Sequence, residues 1–275
     1  MEVQRLAAFS DGDSGGNPAG VLIAPTLPDE PTMRSVAADV GFSETAFAAP
    51  DGDGFRVRYF SPESEVPFCG HATIALGAAL ALRDGDGVFN LRLNDAAITV
   101  EGQRRDDTVS AALQSPPTSS RPLSSEELAE ALALFGYETS EVDQRIAPAR
   151  AHGGADHWFI ALDSREALAS MRYALDAGRD MMRRHGLVTI TLAWAESAQR
   201  WHTRNAFASG GVYEDPATGA ATAAMAGYLR DVDWPHAGHV RIVQGEDMQM
   251  RSLLDAQIPP TPGASIRVSG TVRTL

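Results

Sequence analysis

Two stretches of the chain are apolar on every helical face, and they dominate its pattern of hydrophobic and polar positions. Residues 70–82 and 219–229 carry small or apolar side chains almost throughout, with no polar stripe that would face solvent. A helix that is apolar all round is buried on all sides. Neither stretch reaches the ~20 apolar residues that a membrane-spanning helix needs. The pattern therefore predicts two central helices, each buried inside a soluble lobe.

The segments ahead of each buried helix have the pattern of short strands. Residues 42–48 alternate between apolar and polar positions, and residues 55–60 follow after a glycine-rich turn. Residues 187–194 and 200–207 repeat this order before the second buried helix. Further strands are predicted at residues 3–9 and 19–24, and further helices at residues 30–41, 124–135 and 165–184. The predicted fold class is α+β, with a curled, mostly antiparallel sheet around each buried helix.

The loops that lead into the two buried helices share a motif. Both read E-x-P-x-x-G-x-A-T-x-A, starting at Glu65 and at Glu214. Such a match predicts two related halves, and the stretch at residues 115–122, rich in proline and serine, is the natural boundary between them. We expect an N-terminal lobe at residues 1–117 and a C-terminal lobe at residues 118–275, with a last strand that can return to the first lobe.

The two copies of the motif differ at three positions. Val66 corresponds to Asp215, Cys69 to Thr218, and His71 to Ala220. Drift in surface loops is one explanation. The other is a single site to which each half contributes different groups. The free N–H groups and positive dipole at a helix start favour anions, so two such starts that face one cleft would suit a small carboxylate.

The composition of the chain excludes several classes of function. The chain has 275 residues, a net charge of −13 and a pI near 4.9, which argues against binding to nucleic acid or anionic membranes. All 23 basic residues are arginine, so a Schiff-base lysine and a P-loop are excluded. No G-x-G-x-x-G motif supports a dinucleotide site. One cysteine and no visible signal peptide predict a protein of the reducing cytoplasm.

Three residues are candidates for proton transfer. Glu44 ends a predicted strand among aromatic residues, where a carboxyl group can take and return a proton, although a solvent-facing glutamate is the simpler interpretation. His71 follows the glycine at the start of the first buried helix, and a hydrogen-bonded core histidine is its alternative. Asp215 precedes Pro216 and could instead be a helix N-cap. Cys69 has no partner cysteine, because Thr218 stands at the matching position, and we interpret it as a small buried residue.

Four motifs carry a resemblance to a known family. They are Gly16-Asn17-Pro18, Phe42-Ser43-Glu44-Thr45-Ala46-Phe47, Val66-Pro67-Phe68-Cys69-Gly70-His71-Ala72-Thr73 and Glu214-Asp215-Pro216-Ala217-Thr218-Gly219. In this order the chain resembles the PhzF (phenazine biosynthesis protein-like) family, which is related to diaminopimelate epimerase. The resemblance implies two lobes, each a barrel-like sheet around a central helix, and an isomerase site between them. Glu44 would move the proton, and His71 and Asp215 would assist.

The resemblance also has implications for cofactors, metal ions, oligomeric state and substrate binding. It predicts no cofactor, no metal and a homodimer. The substrate-binding positions would be Asn17, Gly70, Ala72, Gly219 and Ala220. Two departures affect the substrate: the family commonly has serine where this chain has Ala220, and a typical M-G-R-P-S segment reads M-Q-M-R-S at residues 248–252. Amino-acid epimerisation, or binding of a small acid without turnover, are the alternatives.

Overall fold

A computed structural model describes residues 2–275, which form two compact units. The first unit comprises residues 2–114 and Ser269–Leu275, and the second comprises Ser115–Val268. The strands are β1 Gln4–Ser10, β2 Asn17–Ile23, β3 Thr45–Asp51, β4 Gly54–Phe60, β5 Glu65–Val66, β6 Gly87–Arg92, β7 Ala97–Arg105, β8 Thr108–Gln114, β9 Ser119–Pro122, β10 Ala149–His152, β11 Asp156–Ala161, β12 Thr189–Ala195, β13 Arg200–Ala206, β14 Glu214–Asp215, β15 His239–Gln244, β16 Ser252–Gln257 and β17 Arg267–Thr274. The helices are α1 Glu30–Val40, α2 Gly70–Asp84, α3 Ser125–Phe135, α4 Arg165–Ala169, α5 Leu175–His185 and α6 Gly219–Asp231.

The first unit is a closed barrel of eight strands around α2. The strands pair in the order β1, β2, β3, β4, β6, β7, β8 and β17, and β17 pairs back to β1. Residues 71–81 of α2 are all buried, as expected for a helix without a polar face. Close approach of α2 to β7 depends on Gly102, where a Cβ atom would collide with the carbonyl oxygen of Gly77.

The second unit repeats this plan around α6. Its strands pair in the order β9, β10, β11, β12, β13, β15 and β16. Residues 221–230 of α6 are buried. On the outer face of the sheet, α3, α4 and α5 cover a second core that contains Trp158, Ile190 and Leu192. The predicted α+β fold, with a sheet wrapped around a buried helix, is confirmed.

The pairing pattern and the register are the same in both units. The series β2, β3, β4, β6, β7 pairs parallel, antiparallel, parallel and antiparallel, and so does the series β11, β12, β13, β15, β16. Glu65 lies opposite Phe60, and Glu214 lies opposite Ala206. The motif repeat is therefore also a repeat of structure, and each position in one unit can be matched to one in the other.

Helix ends follow the local sequence. Asp29 caps α1, and Gly41 ends it in the left-handed conformation. Ser124 and Glu127 form the predicted capping box of α3. Residues 165–184 are largely helical, as predicted, but they form two helices, because α4 ends at Ala169 and α5 begins only at Leu175. The hydroxyl group of Ser170 bonds back to a carbonyl of α4, which offers the backbone an alternative to continuing the helix.

Within residues 2–275, no helix combines the length and the apolar character that crossing a membrane requires.

Candidate functional site

Glu44 lies directly before β3 and beside the start of α2. Its backbone carbonyl accepts a hydrogen bond from Gly20 N (3.1 Å), which fixes its place at the head of the parallel β2–β3 pair. The predicted strand at residues 42–48 begins only at Thr45. The Glu44 side chain is 19% exposed, and its Oε2 lies 3.5 Å from His71 Nε2. The carboxylate is thus within reach of both a small ligand and the imidazole.

His71, in the first turn of α2, connects three side chains. Nε2 faces Glu44 and also lies 3.4 Å from Ser43 Oγ. Nδ1 lies 3.3 Å from Cys69 Sγ. A neutral imidazole has one donor and one acceptor nitrogen, so when Nε2–H points at Glu44, Nδ1 accepts from the Cys69 thiol. Cys69 was interpreted as a small buried residue, but it is only partly buried, and its thiol contacts the imidazole.

A chain of buried hydroxyl groups supports this junction from inside the barrel. Thr73 Oγ1 donates to the carbonyl of Cys69 (2.7 Å) and therefore accepts from Tyr59 Oη (2.6 Å). Burial raises the pKa of Tyr59 well above its ordinary value, so its phenol stays neutral and can donate. Neither hydroxyl was identified from the sequence. The signal was present, since Thr73 and Thr222 are the matched threonines of the repeat.

In the second unit, Asp215 forms β14 with Glu214, and its carboxylate accepts a hydrogen bond from Thr218 Oγ1. The N-cap of α6 is Thr218 rather than Asp215, so the capping interpretation of Asp215 is wrong. Gln244, which is fully buried, holds this segment through three hydrogen bonds. No sequence signal identified Gln244, because a single glutamine at the end of a strand has no pattern of its own.

The glutamates of the motif have a structural role. Glu65 binds Arg58 through two hydrogen bonds, of 2.7 and 2.5 Å, and Glu214 binds Arg204 in the same way at 3.0 and 2.6 Å. In the matched register Arg58 corresponds to Arg204. The hydrogen bond from Arg58 lowers the pKa of Glu65 below its ordinary value. These carboxylates are therefore committed to ion pairs that brace the two paired strands ahead of each buried helix.

The predicted substrate-binding residues lie at the beginnings of elements. Asn17 is buried as the first residue of β2. Gly70 and Gly219 are the first residues of α2 and α6. Ala72 is buried in α2, and Ala220 is half-buried in α6. A Cβ atom at Gly70 would meet no atom within 4 Å, so space beside this helix start is open.

Neither buried helix has a side-chain cap. The N-cap residues Cys69 of α2 and Thr218 of α6 make no capping hydrogen bond from their side chains. In α1, α3 and α4, by contrast, Asp29, Ser124 and Ser164 each bind a backbone N–H of the first turn. The first-turn N–H groups of α2 and α6 thus have no side-chain acceptor from their N-cap residues, an arrangement that suits an anionic ligand.

One group of side chains has the composition of a metal site. The donor atoms of Glu44, Cys69 and His71 all lie within 4.8 Å of one another. Thiolate, imidazole and carboxylate together are the ligands that zinc prefers. The donor set is therefore suited to a soft divalent cation, although the same three atoms are also arranged for proton exchange among themselves.

Comparison with known proteins agrees with this architecture. Two sheets, each around a buried helix, define a fold found in epimerases and isomerases. A probable proline racemase from Agrobacterium radiobacter K84 superposes with a TM-score of 0.63 at 12% identity, over 99% of this chain and 90% of that chain. A Bacillus anthracis phenazine biosynthesis protein of the PhzF family superposes with a TM-score of 0.85 at 21% identity, over 100% and 98%.

Sequence comparison gives the family. The family model described as phenazine biosynthesis-like protein matches residues 6–274, so the chain belongs to the PhzC-PhzF family. Trans-2,3-dihydro-3-hydroxyanthranilate isomerase of Pseudomonas aeruginosa is 30% identical, covering 96% of this chain and 91% of that protein. The isomerase of the same name from Pseudomonas fluorescens is 28% identical, covering 92% and 88%. The predicted membership is confirmed, and the chain is an isomerase.

Proposed function

We propose that this chain is a cofactor-independent isomerase of a small carboxylate-bearing metabolite and that Glu44 moves a proton between two carbons of the substrate. The observation that supports this most directly is the pairing of Glu44 Oε2 with His71 Nε2 at 3.5 Å, beside the start of α2. A positioned carboxyl that can both take and return a proton is the minimum that such a reaction needs.

The proposed roles follow from the contacts of each side chain. Glu44 removes a proton from one carbon and delivers it to another. His71 donates to Glu44 through Nε2 and steadies the carboxylate, while the hydrogen bond from Thr218 orients Asp215 as a second, assisting group. The substrate carboxylate binds first-turn N–H groups at the start of a buried helix, and the start at Gly70 and the start at Gly219 are the two candidates. Under this proposal the protein works in the cytoplasm as a homodimer.

The first substrate to test is trans-2,3-dihydro-3-hydroxyanthranilate, which the names of two relatives specify. Ala220 cannot donate the hydrogen bond that a serine would give at its position, and the segment at residues 248–252 is altered. We therefore propose the wider class of small acids rather than this compound alone. The contact between Cys69 Sγ and His71 Nδ1 favours amino-acid epimerisation as the second candidate, although Thr218 leaves it without a second thiol.

The test is deuterium uptake from heavy water. A panel of small acids, including the anthranilate derivative and several amino acids, is incubated with the protein, and the position of the label is read by NMR. Glu44→Gln is expected to slow uptake by roughly 10²- to 10⁴-fold, the usual contribution of general acid–base catalysis. Glu63→Gln, a change at an exposed loop position, is the control and should leave the rate unchanged.

Each other outcome has a distinct meaning. Wild-type turnover by a folded Glu44→Gln protein would remove the proposed mechanism. Label confined to the α-carbon of an amino acid would establish epimerisation instead. A bound acid that takes up no deuterium would indicate a binding protein without turnover.

A further inference from the structure

The side-chain amide of Gln244 is committed entirely to one segment of the second unit. Gln244 ends β15 and is fully buried. Its Oε1 accepts from Thr218 N (3.2 Å), and its Nε2 donates to the carbonyl of Asp215 (2.6 Å) and to Thr218 Oγ1 (3.0 Å). The orientation of the amide is fixed, because a backbone N–H can only donate and so must face Oε1. Both donors and the acceptor are thus used on residues 215–218.

This arrangement determines the direction of the Thr218 hydrogen bond. Nε2 of Gln244 is only a donor, so Thr218 Oγ1 must accept from it. The single hydroxyl proton of Thr218 is then directed to the carboxylate of Asp215. Gln244 therefore fixes the backbone around Asp215 and also makes Thr218 a donor to its side chain.

The repeat shows that the fold itself does not need an amide here. Phe55 pairs with Leu91 in the first unit, and Trp201 pairs with Ile242 at the matching position of the second. Two residues further along, Gln244 in the second unit corresponds to Leu93 in the first, where a buried apolar side chain suffices. The amide is present only in the unit whose loop carries an aspartate.

We propose that Gln244 is a positioning residue that holds Asp215 in the geometry the reaction requires. This inference rests on the proposed function, since it assigns the supporting group for one of its assisting residues. Gln244 acts through Thr218 and the backbone of Asp215. A displacement of about 1 Å in an assisting group is enough to cost roughly 10²-fold in rate.

Gln244→Met tests the role, because it removes all three hydrogen bonds while keeping the length of the side chain. We expect kcat to fall by about 10- to 100-fold with KM changed by less than about twofold, the signature of an interaction that matters in the transition state. Thr203→Val is the matched control. Thr203 lies opposite Gln244 in the β13–β15 pair, and its buried hydroxyl has no hydrogen-bond partner among residues 2–275, so this variant should keep wild-type kcat.

Gln244→Glu separates positioning from simple packing. An ionised glutamate can only accept, so it would compete with Asp215 for the hydroxyl proton of Thr218 and repel its carboxylate. A protonated glutamate can donate to Thr218 again. The kcat of this variant, relative to wild type, should therefore rise as pH falls, whereas a purely structural defect would give the wild-type pH profile.

Amide hydrogen exchange at Thr218 reports the contact without any substrate. The Thr218 N–H should exchange faster in Gln244→Met than in wild type and in Thr203→Val. Unchanged exchange would refute the contact, and faster exchange with unchanged kcat would refute the positioning role. If the wild-type protein incorporates no deuterium into any of the acids, both the proposed function and the catalytic part of this role are overturned. The exchange rate of the Thr218 N–H would still decide whether Gln244 holds the loop.

Discussion

The two glutamates of the motif provide a matched experiment on a buried and a partly exposed ion pair. Replacing Glu214 by glutamine removes the hydrogen-bonded charged partner of Arg204 and leaves only Asp247, whose Oδ2 lies 3.9 Å from Arg204 Nε. The side chains of Arg204 and Glu214 are only 10% and 3% exposed. Those of Arg58 and Glu65 are 20% and 22% exposed. The same change in the first unit, Glu65→Gln, leaves an arginine that can still reach solvent.

The magnitudes follow from this difference. Removing one partner of a buried pair costs about 3–5 kcal/mol, because the remaining charge is uncompensated, whereas an exposed pair is worth about 0–1 kcal/mol. Arg58 also keeps a hydrogen-bonded second partner in Glu30, at 3.1 Å, whereas the second partner of Arg204, Asp247, lies at 3.9 Å. At about 2–4 °C per kcal/mol for a unit of this size, Glu214→Gln should lower Tm by roughly 6–20 °C, and Glu65→Gln by less than about 4 °C.

Tryptophan fluorescence is the assay, since all four tryptophans lie in the second unit. Urea unfolding followed by fluorescence should show the loss for Glu214→Gln, while circular dichroism reports both units. The double variant Arg204→Met/Glu214→Leu should recover part of the loss, because no charge is left unpaired. Recovery stays partial because Arg204 Nη1 also donates to the carbonyl of Ala169 (2.8 Å). Equal losses for the two single variants would refute the assignment of different burial to the pairs.

Two further predictions concern pH and metal ions. Burial lowers the pKa of His157 to about 3, so between pH 6.5 and 3 only the unfolded chain binds this proton. The free energy of unfolding should therefore decrease as the pH is lowered through this range, by up to about 1.4 kcal/mol per pH unit. His157→Gln should flatten this slope in urea titrations followed by fluorescence, and an unchanged slope would contradict the burial of this imidazole. Zinc should inhibit deuterium uptake reversibly by binding Glu44, Cys69 and His71, and a chelator should restore the activity. Cys69→Ser should raise the zinc concentration needed for inhibition. Equal sensitivity of the wild-type and Cys69→Ser proteins to zinc would exclude the thiol as a ligand.

Much of the fold could be predicted because its signals are local and strong. A helix that is apolar on all faces must be buried, and the matched motifs at Glu65 and Glu214 indicate a repeat before any strand is paired. The order of the strands could not be predicted, since parallel pairs such as β2–β3 and β11–β12 join segments far apart in sequence. The break between α4 and α5 was missed because apolar spacing continues across Ser170.

The candidate site was predicted less completely than the fold. Glu44, His71 and Asp215 stand in recognisable motifs, but their supporting residues do not. Arg58 precedes Glu65 by seven residues and Arg204 precedes Glu214 by ten, so the two ion pairs share no sequence spacing. Their equivalence appears only when strand register aligns the two units.

That alignment gives a physical criterion for separating structure from chemistry in this chain. Residues that are the same in both units, such as the paired arginines and glutamates, brace the paired strands ahead of each buried helix. Residues that differ have no common structural task. Thr45 lies opposite Phe60, as Ile190 lies opposite Ala206, so the residue that matches Glu44 in the second unit is the one before Ile190.

The residue at that position is Thr189. Its hydroxyl group is buried and lies 2.7 Å from His157 Nδ1, an imidazole that stays neutral at physiological pH. A threonine hydroxyl beside a neutral, buried imidazole cannot accept a proton and return it at neutral pH, as a carboxylate can. The second unit therefore offers no counterpart to Glu44 at the matched position.

A reaction that removes a proton from one face of a carbon and returns one to the other face needs two such groups. A reaction that moves a proton between two carbons along one face needs a single mobile carboxyl group. The repeat thus favours isomerisation over epimerisation for this chain.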